Sequence, residues 1–250
     1  MPLNVLVTGA TGRTGSIVVK KLLQQPEKFA VRAFVRSFDK AEEMFDADLP
    51  MFVGNIRAPE TLKPAIEGCD ALVILTSAIP QMQGMSESGQ PQMGFPPEEM
   101  PEVIDYHGQV NQIEAAKAAG VEHIVLVGSM GGTDEKHMLN RIGNANILIW
   151  KRKAEQHLID SGIDYTIIHA GGLQDKPGGR RELLVGDNDE LLKSPSPSLP
   201  RADVAELVVQ ALQAPAARNK AFDVISKPED ESATATADFA ALFAQTTPGL

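Results

Sequence analysis

The chain has 250 residues, 43% of them hydrophobic, and a formal net charge of -10, so it carries enough apolar material for one large core. That acidic balance argues against non-specific binding to nucleic acid or to an anionic membrane, both of which need a basic surface. One cysteine, Cys69, makes no internal disulfide and no CxxC motif, which suits a reducing compartment.

Cys69 lies in the apolar run Cys69-Asp70-Ala71-Leu72-Val73 and reads as a small buried residue rather than a nucleophile. No apolar run approaches ~20 residues, so no membrane-spanning helix is expected. The first strand begins at Leu3, leaving no room for a leader ahead of it. The expected location is cytoplasmic, or a plastid if a leader has been cut from a longer precursor.

Leu3 to Thr8 is short, apolar and β-branched, and predicts the first strand; Gly12 to Leu23 follows with helical spacing of Ile17, Val18 and Leu22. Phe29–Val35, Met51–Val53 and Ala71–Leu75 predict three further strands, with helical patterns at Lys40–Phe45 and Thr61–Ile66. A helix containing Glu114–Ala119 stops at Gly120, Ile124–Val127 predicts the fifth strand, Asn146–Asp160 a helix and Tyr165–Ile168 the sixth strand. Alternation of this kind predicts a doubly wound α/β fold with a parallel sheet, because parallel crossovers must leave and re-enter the sheet. A single domain over 1–250 is expected. Two segments, 78–101 and 170–200, break the rhythm with Pro, Gly and charge. Both follow strands and therefore leave the carboxyl edge, where open α/β sheets bind ligands. The first also carries Met82, Met85, Met93 and Met100, whose adaptable side chains favour a lid over a ligand pocket, with a flexible surface loop as the alternative.

Gly9-Ala10-Thr11-Gly12-Arg13-Thr14-Gly15 closes the first strand and opens a helix, the context in which a glycine loop binds a dinucleotide. Gly9 serves the tight turn, Gly12 the approach of backbone to pyrophosphate, and Gly15 the packing of helix on strand, with backbone N–H groups facing the phosphate. NAD sites place an acid after the second strand. Here Arg36 stands there, which suits a 2′-phosphate and favours NADP, with Arg13 as a possible second cation near the same group.

GATGRTG, LVILTSA (72–78), VLVGSMGGT (125–133), KRKAE (151–155) and SGIDYTIIHAGG (161–172) together resemble the atypical short-chain dehydrogenase/reductase family, in its NAD(P)-binding NmrA-like branch of plants and cyanobacteria. The resemblance runs from Leu3 to about Phe243. It implies a seven-stranded Rossmann fold with a small C-terminal substrate lobe. It also implies cofactor contacts from Asn55 and Ile56 and from Thr76, Ser77 and Ala78, to which Thr11 and Thr14 of the glycine loop are added as expected cofactor-binding residues. Family reductases pair a serine with YxxxK, and Ser129 and Lys151 match the serine and the lysine as catalytic and ribose-binding residues. The tyrosine position is Ile147, so the usual proton donor is missing.

Tyr106 is a candidate to reach the cleft in its place, whereas Tyr165 lies inside a strand and reads as core. Lys153, one helix step away, reads as solvated. His169 ends the sixth strand at the cleft edge, either as a cation or proton donor or as a hydrogen-bonded packing residue. The histidines lack ligand spacing, so no metal is expected. Asp187-Asn188-Asp189-Glu190 reads as a solvated turn rather than a cation loop. Arg180 and Arg181 either hold an anionic substrate or face water, and Asp203 falls in the first turn of a helix, where its charge meets the dipole. Two functions follow. One is an NADPH-dependent reductase of a small planar acceptor, quinone-, flavin- or enone-like; the other is a non-catalytic NADP(H)-sensing regulator or scaffold. A nucleotide-sugar epimerase ranks third, since it too leans on the missing tyrosine.

Overall fold

In the computed structural model, which describes residues 1–85, 89–228 and 234–249, the chain begins β1 (Leu3–Thr8), α1 (Gly15–Leu23), β2 (Phe29–Val35), α2 (Phe38–Glu42), β3 (Met51–Val53), α3 (Lys63–Ile66) and β4 (Ala71–Ile74). A hairpin of β5 (Gln81–Met85) and β6 (Pro91–Gly94) follows. Next come a π-helical segment, Glu102–His107, that runs into α4 (Gly108–Ala119), and then β7 (His123–Ser129), α5 (Ile147–Asp160) and β8 (Asp164–Ala170). The last part holds β9 (Gly172–Gln174), β10 (Leu183–Gly186), β11 (Ser198–Pro200), α6 (Arg201–Gln213), β12 (Lys220–Ser226) and α7 (Phe239–Ala244).

One sheet has the order β10-β12-β8-β7-β4-β1-β2-β3, parallel except for β10 against β12. It is a Rossmann-like α/β fold. The chain moves outward from β1 through β2 to β3, then returns to β4 and moves the other way. The switch point, where crossovers diverge and leave a crevice, is therefore between β1 and β4. Alternate residues of the central strands feed opposite faces. Val5, Val7, Val73 and Val125 pack with Val18, Val19 and Leu22 of α1 and Val204 and Leu207 of α6. Leu6, Leu72, Ile124 and Leu126 pack with Ile66 of α3 and Ile113 of α4. Burying each such side chain stabilises by roughly 1.5–3 kcal/mol.

The sheet has eight strands where seven were expected. The additional strand, β10, comes from the 170–200 segment; its short apolar run Leu183-Leu184-Val185 is flanked by glycine, proline and charge, and it pairs only at the sheet edge. The same segment supplies β9 and β11, a two-stranded parallel pair beside the carboxyl edge. The 78–101 segment also departs from expectation, since β5 and β6 pair antiparallel; its residues 86–88 lie outside the described ones. Met82, Met85 and Met93 are exposed on this hairpin rather than turned into a pocket. Met100 packs on a small apolar cluster of Ala78, Phe95, Ala145, Ile147 and Leu148.

Candidate functional site

β1 ends at Thr8, and Gly9 then takes φ +68, a left-handed conformation at which a Cβ would lie 2.8 Å from the carbonyl of Leu75. Only glycine turns the chain so close to the end of β4. A Cβ on Gly15 would collide with the Gly9 oxygen, so the start of α1 sits directly on the loop. The helix begins at Gly15 rather than Gly12, because Gly12 N–H closes a turn onto Gly9 O at 2.9 Å. Its first turn holds no acidic residue and its N-cap Thr14 makes no side-chain cap bond, so no carboxylate of the first turn offsets the positive end of the helix.

A cavity of about 180 Å³ opens beside this loop. Gly9, Thr11 and Gly12 border it on one side, and Thr76, Ser77 and Ala78 follow β4 into it. At the far end it is lined by Arg36, Asn55 and Ile56. The residues expected at a dinucleotide site thus come together, and two cations that sequence reasoning missed, Lys40 and Arg57, join Arg36. Arg36 Nη1 pairs with Glu99 Oε1 at 2.5 Å. Arg13 does not join this group. Its guanidinium leaves the loop toward the 170–200 segment and pairs with Asp175, which also holds Arg201 at 2.8 Å.

A second cavity, of about 260 Å³, shares Leu75 and Ser77 with the first. Its polar side chains are Thr14, Ser77, Ser129 and Lys151; its walls include Pro80, Phe95, Leu139, Ile142 and Leu173. Ile147, in the tyrosine position, is a buried part of that apolar wall. Ser129 Oγ donates to its neighbour Met130 O at 3.0 Å.

Lys151 Nζ is held by Asp105 Oδ1 at 2.6 Å and by Ser77 Oγ at 3.0 Å. Asp105 is fully buried and its other oxygen accepts Ala78 N–H at 3.1 Å. Gln109 donates to Thr76 O and Gln112 to Thr76 Oγ1, at 3.3 and 3.1 Å. The stretch that follows β4 is therefore strapped to the start of α4 by three polar residues that sequence reasoning missed. A signal existed, since Asp105, Gln109 and Gln112 recur at i, i+4 and i+7, one face of a helix.

Other candidates fall elsewhere. Tyr106 stacks on Trp150 and His107, with ring centroids at 5.7 and 4.9 Å, and lines neither cavity. Tyr165 is buried core, and Lys153 is exposed with Nζ 4.2 Å over the Trp150 ring. Cys69 is buried, which pushes its thiol up and away from nucleophilic use. His169 is the packing histidine rather than a cleft residue, 3.1 Å from Glu155 Oε2 and 3.4 Å from Asp223 Oδ1. Burial by itself lowers its imidazole, but the two carboxylates outweigh burial and hold it above the ordinary value. Arg152 takes part from the solvent side, 2.6 Å from His169 Nε2 and 3.1 Å from Glu155.

Asp189 is not part of a solvated turn. It is buried at φ +60, accepts Gly131 N–H at 2.6 Å and Thr133 N–H at 2.8 Å, and donates its own N–H to Asp223 at 2.7 Å. Arg181 is buried near Gln174, outside both cavities. Asp203, in the first turn of α6, accepts Gly179 N–H at 2.6 Å, and burial raises its carboxyl. Among the described residues no group of three or more His, Cys, Asp or Glu forms a metal site, and no helix is long and apolar enough to cross a membrane.

A family model described as NAD(P)H-binding matches residues 9–215. An uncharacterised chloroplast protein of Arabidopsis thaliana is 59% identical over 249 residues, 98% of this chain and 76% of its own. Sanguinarine reductase of Eschscholzia californica is 52% identical over 265 residues, covering 98% of this chain and 96% of that protein. Among solved structures, the anaerobillin reductase ChuY of Escherichia coli O157:H7 is similar in fold, with a TM-score of 0.66 over 90% of this chain and 99% of that one at 22% identity.

Proposed function

The chain belongs to the NAD(P)H-binding family of atypical short-chain dehydrogenases/reductases, and from that premise we propose that it is an NADPH-dependent reductase of a small planar acceptor, quinone-, flavin- or enone-like. The observation that carries the reading is the pair of joined cavities. One ends in Arg36, Lys40 and Arg57, an anion-binding end in a chain of net charge -10. The other is largely apolar and shares Ser77 with the first. The match to sanguinarine reductase along nearly its whole length supports the reaction class.

The loop and site residues fit a dinucleotide: N–H groups at the start of α1 take the pyrophosphate, Arg36 the 2′-phosphate, and Asn55 and Ile56 the adenine side. Reduced nicotinamide supplies a hydride when bound. Lys151, oriented by Asp105 and Ser77, holds the nicotinamide ribose and is the charged donor of the second cavity. Ser129 orients the acceptor oxygen. With Ile147 in the tyrosine place, the proton that accompanies reduction comes from Lys151 Nζ or from water, so acceptors needing little proton assistance are favoured.

The test is a fluorescence titration with NADPH and NADH, followed by quinones, flavins and enones in the same samples while loss of reduced cofactor is recorded. NADPH binding that is lost in Arg36→Glu, with oxidation by one acceptor class, is the expected result. Binding without oxidation by any of them overturns the reductase reading and leaves the NADP(H)-sensing module, which Ile147 favours. The sensing reading in turn requires a partner whose binding differs between NADP+ and NADPH.

A further inference from the structure

The cation aimed at the cofactor's 2′-phosphate already has an anionic partner. Glu99 Oε1 lies 2.5 Å from Arg36 Nη1, and both line the cavity between the glycine loop and β2. Glu99 belongs to the 78–101 segment, 63 residues from Arg36 in sequence. Its position is built. Pro96 and Pro97 restrict the backbone ahead of it, Glu99 N–H donates to Pro96 O at 2.9 Å, and Arg57 Nη1 donates to the adjacent Glu98 O at 3.1 Å. The Glu99 side chain is 28% exposed against 70% for Arg36, so the carboxylate is the more confined of the pair.

A ribose 2′-phosphate directed at Arg36 meets this carboxylate. It must take the guanidinium from Glu99 and then lie near a like charge. A ribose 2′-hydroxyl has the opposite relation to the same group, because a hydroxyl donates to a carboxylate. We propose that Glu99 is a specificity-determining residue of the cofactor site, which weakens NADPH relative to NADH by occupying Arg36 and by offering an acceptor to the unphosphorylated ribose. The inference rests on the reading of the cleft as an NADP(H) site. It gives the 78–101 segment a part in cofactor choice that its distance in sequence from the glycine loop hides.

The test measures binding alone. NADPH and NADH are titrated by nicotinamide fluorescence into the unsubstituted chain, Glu99→Gln, Arg36→Gln and the double variant, with a thermal melt of each to verify folding. Glu99→Gln is expected to tighten NADPH about five- to tenfold and to leave NADH unchanged or weaker. In the Arg36→Gln background the same substitution has a smaller effect on NADPH. If Arg36→Gln weakens NADPH but Glu99→Gln leaves the NADPH to NADH ratio unmoved, Glu99 has no part in selection and the inference falls while the cofactor reading stands. If the unsubstituted chain binds neither nucleotide, the cofactor reading falls and the inference with it.

Discussion

Lys151 and Asp105 form a buried ion pair, Nζ to Oδ1 at 2.6 Å, with the aspartate wholly shielded from solvent and the lysine side chain 9% exposed. The pair joins α5 to the π-helical segment before α4, and through Ser77 and Ala78 it also fixes the chain that follows β4. Lys151 is thus given its orientation by a carboxylate that is itself anchored on the Ala78 N–H.

Removing only one partner leaves a charge buried without its counterpart. Asp105→Ala is therefore expected to destabilise the chain by about 3–5 kcal/mol, whereas the double variant Asp105→Ala with Lys151→Met loses distinctly less. Urea unfolding of the two single variants and the double variant measures the coupling. Additive losses would mean that the pair does not act as a unit.

Gly15 meets Gly9 with no room for a side chain. Gly15→Ala should cost about 1–3 kcal/mol through overpacking and weaken cofactor binding, because the loop must shift to admit the methyl group. Gly120→Ala is a useful contrast. Nothing lies near that position, and only its positive φ of 75 is strained. It should reduce stability while leaving nucleotide affinity unchanged, as a melt and a titration on the same samples can check.

Two buried histidines give opposite pH dependences. His123, with Nε2 3.0 Å from Thr166 Oγ1, is pushed down to about 4 by burial, with Arg218 contributing. Its folded value lies below its unfolded one, so its contribution is fully present above pH ~6.5 and is lost as pH falls toward 4, by about 3 kcal/mol in all. His169 is held above its ordinary value by Glu155 and Asp223, against the effect of burial. Its contribution is fully present below pH ~6.5 and lost as pH rises through the folded value. Stability curves from pH 4 to 9 should therefore flatten on the acid side in His123→Gln and on the alkaline side in His169→Gln. The reverse assignment would contradict both environments.

Asp189 ties the chain after β10 to the chain after β7 through the N–H groups of Gly131 and Thr133. Asp189→Ala leaves those donors without their acceptor and also loses a residue type that tolerates positive φ, for an expected loss of about 2–4 kcal/mol. Asp189→Asn keeps the shape, the left-handed tolerance and one acceptor oxygen, and should cost less than half as much in chemical denaturation. Equal losses would show that the carboxylate charge, not the geometry, carries the clamp.

Local pattern was enough for much of this protein. Leu3–Thr8, Phe29–Val35 and Met51–Val53 read directly as strands because each is a short run dominated by apolar, β-branched or aromatic residues, and they form with those bounds. The glycine loop was legible for the same reason, since its spacing, left-handed turn and helix packing concern residues within a few positions of one another. The edge strand β10 and the β5–β6 hairpin were hidden, because short strands amid proline and glycine acquire their identity from a partner rather than from periodicity. The same limit applies to the site. The family resemblance pointed to Ser129 and Lys151, which line one cavity, but Asp105 reaches Lys151 across 46 residues, Glu99 reaches Arg36 across 63, and Asp189 reaches Gly131 across 58. Such pairings exist only once the sheet has brought its carboxyl edge together; at Lys151–Asp105 and at Asp189, which are buried, low local dielectric and exclusion of water make each charge depend on a neighbour distant in sequence.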